Sequence, residues 1–163
     1  MSKRNRAKSK RHASQPRIIN RRARHEYHIL DTIEMGVVLT GSEVKSVRQG
    51  RVSLAEGYVR ATETPLEVEL IGVHIAEYAP AAANQHMPTR ARRLLAHKRE
   101  ILELARATSV KGVTIVPLEM CFRHGLIKVV IGLARGKSRV DKRQDQRARE
   151  AQRDIDRAMS KRV

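Results

Sequence analysis

Between Glu26 and Arg135 the chain runs in short apolar segments with alternating polar positions, the pattern of strands that each bury one face. EYHILD from Glu26, GVVLTG from Gly36, YVRAT from Tyr58, LEVELIG from Leu66 and VHIAEY from Val73 are separated by Gly, Pro and charged residues, and each predicts a strand. Two longer runs follow, GVTIVPLEMCFR from Gly112 and LIKVVIGLAR from Leu126, and the His124-Gly125 pair between them predicts a hairpin. Period-two alternation puts Thr114, Val116, Leu118, Met120 and Phe122 on one face of the first strand, and Ile127, Val129, Ile131 and Leu133 on one face of the second.

Two stretches break this pattern. SEVKSVRQG from Ser42 predicts a short helix ended by Gly50, with Val44, Val47 and Arg48 inward. RRLLAHKREILELARAT from Arg92 predicts a longer amphipathic helix, with Leu94, the stem of Lys98, Ile101 and Ala105 on one side and Leu95, Leu102 and Leu104 flanking them. Many short antiparallel strands with interposed helices, in about 110 residues, predict a mainly β fold closed or partly closed into a small barrel, since closure removes exposed edges. Beyond it, Asp141 and Gln144 have capping-box spacing, and Ala148, Ala151, Ile155, Ala158 and Met159 recur at helical intervals beside an Arg149, Arg153, Arg157 stripe. That seam is mostly alanine. It predicts a tail that becomes helical when a partner supplies apolar surface.

Charge divides the chain the same way. Residues 1–25 hold ten Lys/Arg and no acid, residues 26–134 thirteen against twelve, and residues 135–163 eleven against five. A nearly neutral domain between two basic ends fits a polyanion, because neutralising phosphates releases condensed counterions. Residues 1–19 are expected to be a disordered basic arm, 20–135 the RNA-binding barrel and 136–163 a basic tail. Tyr27, Tyr58, Tyr78 and Phe122 are the only aromatics, which disfavours a base-stacking platform and favours backbone and shape recognition. One cysteine excludes an internal disulfide, and neither a signal-like apolar stretch nor a membrane span is seen, so a cytoplasmic protein is expected.

Little in the chain suggests catalysis. Cys121 has His124 nearby but no third group in sequence, and the His25 and His28 pair has no zinc-type cluster beside it. Nucleotide-binding glycine loops and nucleophile elbows are missing from the sequence. Glu34 and Glu43 as Mg²⁺ ligands of a barrel-fold nuclease form the best enzyme reading, and a general rRNA-binding accessory protein of the ribosome is the other alternative. Neither a cofactor nor a metal is expected.

Five separated segments resemble the SsrA-binding proteins, the SmpB family: NRRARHEYHIL from Asn20, EMGVVLTGSEVKSVRQGRVSL from Glu34, PTRARRLL from Pro88, KGVTIVPL from Lys111, and IGLARGK with VDKR between Ile131 and Arg143. The resemblance implies an oligonucleotide-binding-type antiparallel β-barrel with two or three helices. It implies a monomeric, non-enzymatic adaptor that binds the tRNA-like domain of transfer-messenger RNA and brings it to stalled ribosomes for trans-translation. Alanyl-tRNA synthetase and elongation factor Tu would be reached only through that RNA. Carried onto this sequence, the RNA surface comprises Asn20, His25, Glu34, Leu95, Lys128, Arg135 and Lys137, and the neighbouring Arg90, Arg92 and Arg93 are expected on phosphates. Glu34 also fits a solvated strand-end acid, and Leu95 a helix core residue. Gly136, Lys137, Asp141, Lys142 and Arg143 would meet the small-subunit decoding centre, and Arg149, Arg153, Ile155, Arg157 and Met159 the messenger channel. Ser138, Val140 and Ala151 depart from what the family usually carries there.

Overall fold

The computed structural model describes residues 16–160, so most of the expected N-terminal arm lies outside the described residues. The sheet already takes in Ile18–Ile19 as β1, ahead of the expected domain start at Asn20. Arg17 fixes that entry, its guanidinium donating to both oxygens of Glu119 at 2.5 and 2.6 Å. The helix α1 (Arg21–Glu26) and the long strand β2 (Tyr27–Val37) follow, then α2 (Gly41–Arg48) and the short β3 (Val52–Ser53). Next come β4 (Tyr58–Glu63), β5 (Leu66–Ile71), β6 (His74–Ile75), β7 (Arg92–Leu95), α3 (Lys98–Thr108), β8 (Val113–Arg123), β9 (Leu126–Gly136) and α4 (Arg139–Ser160).

All pairings are antiparallel, and they close. β8 pairs with β9, β9 with β2, β2 with β7, β7 with β5, β5 with β4, and β4 returns to β8 at Val59 and Ile115. β1 extends the same edge of β8 at Glu119 and Met120, while β3 and β6 form a separate two-stranded sheet. Closure leaves the six barrel strands without a free edge along their paired stretches. Met35, Val68, Leu70, Ile115, Met120, Val129 and Ile131 fill the interior, and α3 packs Ile101 and Leu104 onto it from β4, β5 and β8.

The β8–β9 hairpin turns as expected: His124 and Gly125 both have positive φ, 50° and 79°, the pair that a right-twisted two-residue turn demands. On β9 the expected inner face holds. On β8 it does not, because the register slips between Pro117 and Glu119. Ile115 lies inside, Val116 and Leu118 pack outside against Ala23 of α1 and Ala134, and beyond the bulge Met120 and Phe122 return to the core.

The helix expected from Arg92 begins only at Lys98. Residues 92–95 are strand β7, buried at Arg92 and Leu94 and exposed at Arg93 and Leu95, an alternation of period two that a helix does not give. In α2 the buried face is Glu43, Ser46 and Val47, with Arg48 exposed rather than inward. The tail is a helix from Arg139 to Ser160. Its capping box sits three residues earlier than the Asp141/Gln144 spacing suggests: the Ser138 N–H donates to Asp141 at 3.0 Å, and the Asp141 N–H donates to Ser138 Oγ at 3.2 Å.

Candidate nucleic-acid interface

The pleat decides which of the expected RNA residues meet. Met35, Leu94 and Val129 point into the barrel, so Glu34, Gly36, Arg93, Leu95 and Lys128 face out. Gly36 pairs with Leu95 on one side and Lys128 on the other, drawing these residues onto one outer patch. A Cβ on Gly36 would lie 3.3 Å from that of Leu95, so the glycine lets Leu95 lie low across the strand while remaining 56% exposed. Leu95 is therefore a surface residue and not a helix core residue. Glu34 is exposed and its carboxylate lies 2.7 Å from Arg123 Nε, an ion pair that balances its charge within the patch. A basic and apolar face with one paired acid can accept phosphate without a bare carboxylate repelling it.

The expected Arg90, Arg92, Arg93 phosphate cluster is split by the strand. Arg93 is exposed, but Arg92 is fully buried. Its guanidinium donates to Glu43 at 2.8 Å and to the carbonyls of Val73, Arg90 and Pro88 at 2.7, 3.0 and 2.8 Å. Arg90 is turned to the same acid, donating to Glu43 at 2.8 and 2.6 Å. Arg92 thus offers nothing to phosphate. It anchors β7 beneath Arg93 and Leu95.

Glu43 also accepts the Thr40 N–H at 2.7 Å. Burial pushes its carboxyl up, but the bonds from Arg90, Thr40 and Arg92 outweigh it and hold the pKa at about 2. Burial in turn pushes the Arg92 guanidinium down. With its oxygens taken by these donors, Glu43 does not fit the metal-ligand role of the nuclease reading. Among the described residues no three His, Cys, Asp or Glu side chains gather as a metal set. Burial, together with Glu119, pushes the Cys121 thiol up, which disfavours the thiolate a nucleophile needs.

Asn20 is buried as well. Its Oδ1 accepts the Ala23 N–H at 3.0 Å, capping α1, and its Nδ2 donates to the carbonyls of Leu54 and Pro117 at 3.0 and 2.9 Å. With both amide hydrogens used, Asn20 has no donor left for RNA and corrects to a residue that positions α1. The reading of the sequence missed α1 itself. An asparagine before RRARHE was the available signal.

Four expected residues gather where α1 meets the start of α4. His25 closes α1, Arg135 pairs across β2 with His28, and Gly136 ends β9 opposite Tyr27. The Lys137 ammonium donates to the Arg24 carbonyl at 3.1 Å and to Asp145 at 2.5 Å, leaving its side chain 8% exposed. Its expected role as a free phosphate contact does not fit this conformation. Asp141 lies 3.6 Å from His28, and hydrogen bonds from Ser138 hold its carboxyl below the usual range. Beyond, Arg143, Arg149, Arg153 and Arg157 are exposed along α4 with Ile155 and Met159, while Lys142 is half-buried.

Residues 17–161 match the family described as "SmpB protein". The chain belongs to the SmpB family. Every described element from β1 to α4 lies within that match, so barrel and tail are both family features. The SsrA-binding protein of Acidothermus cellulolyticus is 53% identical over 144 residues, covering 88% of this chain and 89% of that one. The SsrA-binding protein of Thermobifida fusca is 51% identical over 143 residues, covering 88% of each. A solved chain described as "tmRNA-SmpB: a journey to the center of the bacterial ribosome" superposes with a TM-score of 0.64 at 42% identity, over 76% of this chain and 86% of that one. No described helix of this SmpB family member is long and apolar enough to cross a membrane.

Proposed function

We propose that this chain is the RNA-binding adaptor of trans-translation, holding the tRNA-like domain of transfer-messenger RNA on its barrel and presenting its basic tail to the stalled ribosome. The observation that carries the reading is the SmpB family match across both parts, joined to the outer patch of Glu34, Arg93, Leu95 and Lys128. That patch suits a structured RNA, whose backbone and sugars are read by shape, better than an unstacked single strand. The work is binding rather than catalysis, done by a monomer in the cytoplasm. Alanyl-tRNA synthetase and elongation factor Tu meet it through the RNA. The tail residues Lys142, Arg143, Arg149, Arg153 and Arg157 supply the charge for the decoding centre and messenger channel.

The test is binding to the tRNA-like domain against an unrelated structured RNA of equal length, across a salt series, with the RNA checked for cleavage afterwards. Preference that persists at high salt supports the adaptor. Equal affinities that fall together with salt would leave only a general RNA-binding protein, and cleaved RNA would revive the nuclease.

A further inference from the structure

β7 is four residues long, and its own sequence does not choose its register. A one-residue slip normally turns apolar side chains out and polar ones in, and core burial forbids it. In β7 Arg92 and Leu94 point inward and Arg93 and Leu95 outward. If the strand slipped by one residue, Arg93 would take the place of Arg92 and Leu95 that of Leu94, so the interior would still receive one arginine and one leucine. The long connection from residue 76 to residue 91 has the slack to allow it. What does differ is Arg90, on the same side of the chain as Arg92. Both guanidiniums bond the buried Glu43, Arg90 through Nε at 2.8 Å and Nη2 at 2.6 Å, and Arg92 through Nε at 2.8 Å. A slipped strand would offer Glu43 Arg93 in place of Arg92 but Ala91 in place of Arg90, taking two donors from a buried carboxylate. The slip would also draw on the Ala96-His97 link to α3 and break the 2.8 Å bond from the His97 N–H to Glu100. A frayed first turn costs less than a buried charge short of partners, so Arg90 supplies most of the difference.

We propose that Arg90 is the register pin of β7 and, through that strand, a positioning residue for RNA recognition. The consequence for RNA deepens the adaptor reading and rests on it. In the present register Leu95 lies beside Gly36, and Arg93 sits opposite Glu69. One residue along, Gly36 would face Ala96 and Glu69 would face Leu94. The outward arginine and leucine would then be Arg92 and Leu94, each displaced by about 6.6 Å, two residues of strand rise. The patch would keep its composition and lose its arrangement against Glu34 and Lys128. General attraction to phosphate survives such a change, because the charge is the same, but a match to one particular folded RNA does not. Arg90 thus acts on selectivity without touching the RNA.

The deciding variant exchanges two neighbours, R90A/A91R, and leaves composition and net charge as they are. It moves the pin by one residue, and β7 should move with it. Cross-strand nuclear Overhauser contacts read the register directly: the parent chain pairs Glu69 with Arg93 and Gly36 with Leu95, and the exchanged chain should pair Glu69 with Leu94 and Gly36 with Ala96. The tRNA-like domain and an unrelated structured RNA of equal length are titrated in parallel. The exchanged chain should lose roughly tenfold of its preference, the scale of one misplaced specific contact. Its affinity for the unrelated RNA should stay within about twofold of the parent's, since the charge is conserved. Should the exchange unfold β7, Arg90→Ala decides: with no arginine at either position the registers differ mainly by the α3 cap, and a slipped state of roughly a tenth should show in saturation-transfer spectra. Arg90→Lys, which keeps a cation on Glu43, should return the strand to one register. Parent contacts in the exchanged chain, or no slipped state in Arg90→Ala, would overturn the pin, and a slipped strand with its preference intact would overturn its part in recognition. A parent chain without preference for the tRNA-like domain would instead overturn the adaptor reading, while the strand contacts still decide the pin.

Discussion

Glu43 holds a full charge where no water reaches it, and four donors from Arg90, Arg92 and Thr40 make that tolerable. Glu43→Gln keeps the shape and leaves Arg92 buried without a counter-charge, at a cost of about 3–5 kcal/mol read from urea denaturation. A loss under about 1 kcal/mol would mean that packing, not charge, holds β7. The same residue sets an acid limit. Its folded pKa of about 2 lies below the usual 4.5, so its contribution is complete above pH 4.5 and drains away as pH falls toward 2; the depression corresponds to roughly 3 kcal/mol. Stability of the parent chain should decline over that window, with a shallower decline in Glu43→Gln. Asn20 and Glu34 separate in the same assay. Asn20→Ala uncaps α1 and orphans two buried carbonyls, costing roughly 2–4 kcal/mol, and would weaken RNA binding only through α1. Glu34→Gln breaks an exposed pair and should cost under about 1 kcal/mol, so any change in RNA binding there belongs to the patch itself.

At the scale of elements, what could be read from the sequence was what local chemistry decides. The His124-Gly125 turn, the inner face of β9 and the α2 helix follow from turn residues and periodicity within one segment. β7 was illegible for a different reason. Leu94 and Leu95 fit helical spacing with Lys98 and Ile101, and what makes Arg92 an inward strand residue is a carboxylate 49 positions away. The single face expected along β8 splits after Leu118, because a single-residue bulge sends Met120 and Phe122 to the opposite side from Val116 and Leu118. The candidate site inherits these limits: Asn20 and Arg92 have the chemistry of RNA contacts and the burial of core residues, and only tertiary structure separates the two. The tail helix is an element whose start can be tested. Ser138→Ala removes the N-cap acceptor and should cost the helix about 1 kcal/mol, lowering helicity over residues 139–160 as read by carbon chemical shifts. Unchanged shifts would mean that the Lys137–Asp145 pair, not the cap, starts the helix.

Across the whole molecule, every strand pairing that closes the barrel is made before the tail begins, since β9 ends at Gly136 and α4 starts at Arg139. Among the described residues, the buried core likewise contains nothing from α4. A chain ending after Ser138 should therefore unfold in one cooperative transition, with a denaturation midpoint close to that of the parent. It keeps the outer patch and Lys137, so its affinity for the tRNA-like domain should match the parent's at low salt. Its salt slope reports how many phosphates the barrel alone neutralises, because the slope grows in proportion to that number. Peptide tagging on stalled ribosomes should disappear in the same variant, since Arg143, Arg149, Arg153 and Arg157 go with the tail. If RNA binding vanished together with tagging, the barrel would not be an independent RNA platform, and the helix would have to be part of the surface that holds the RNA.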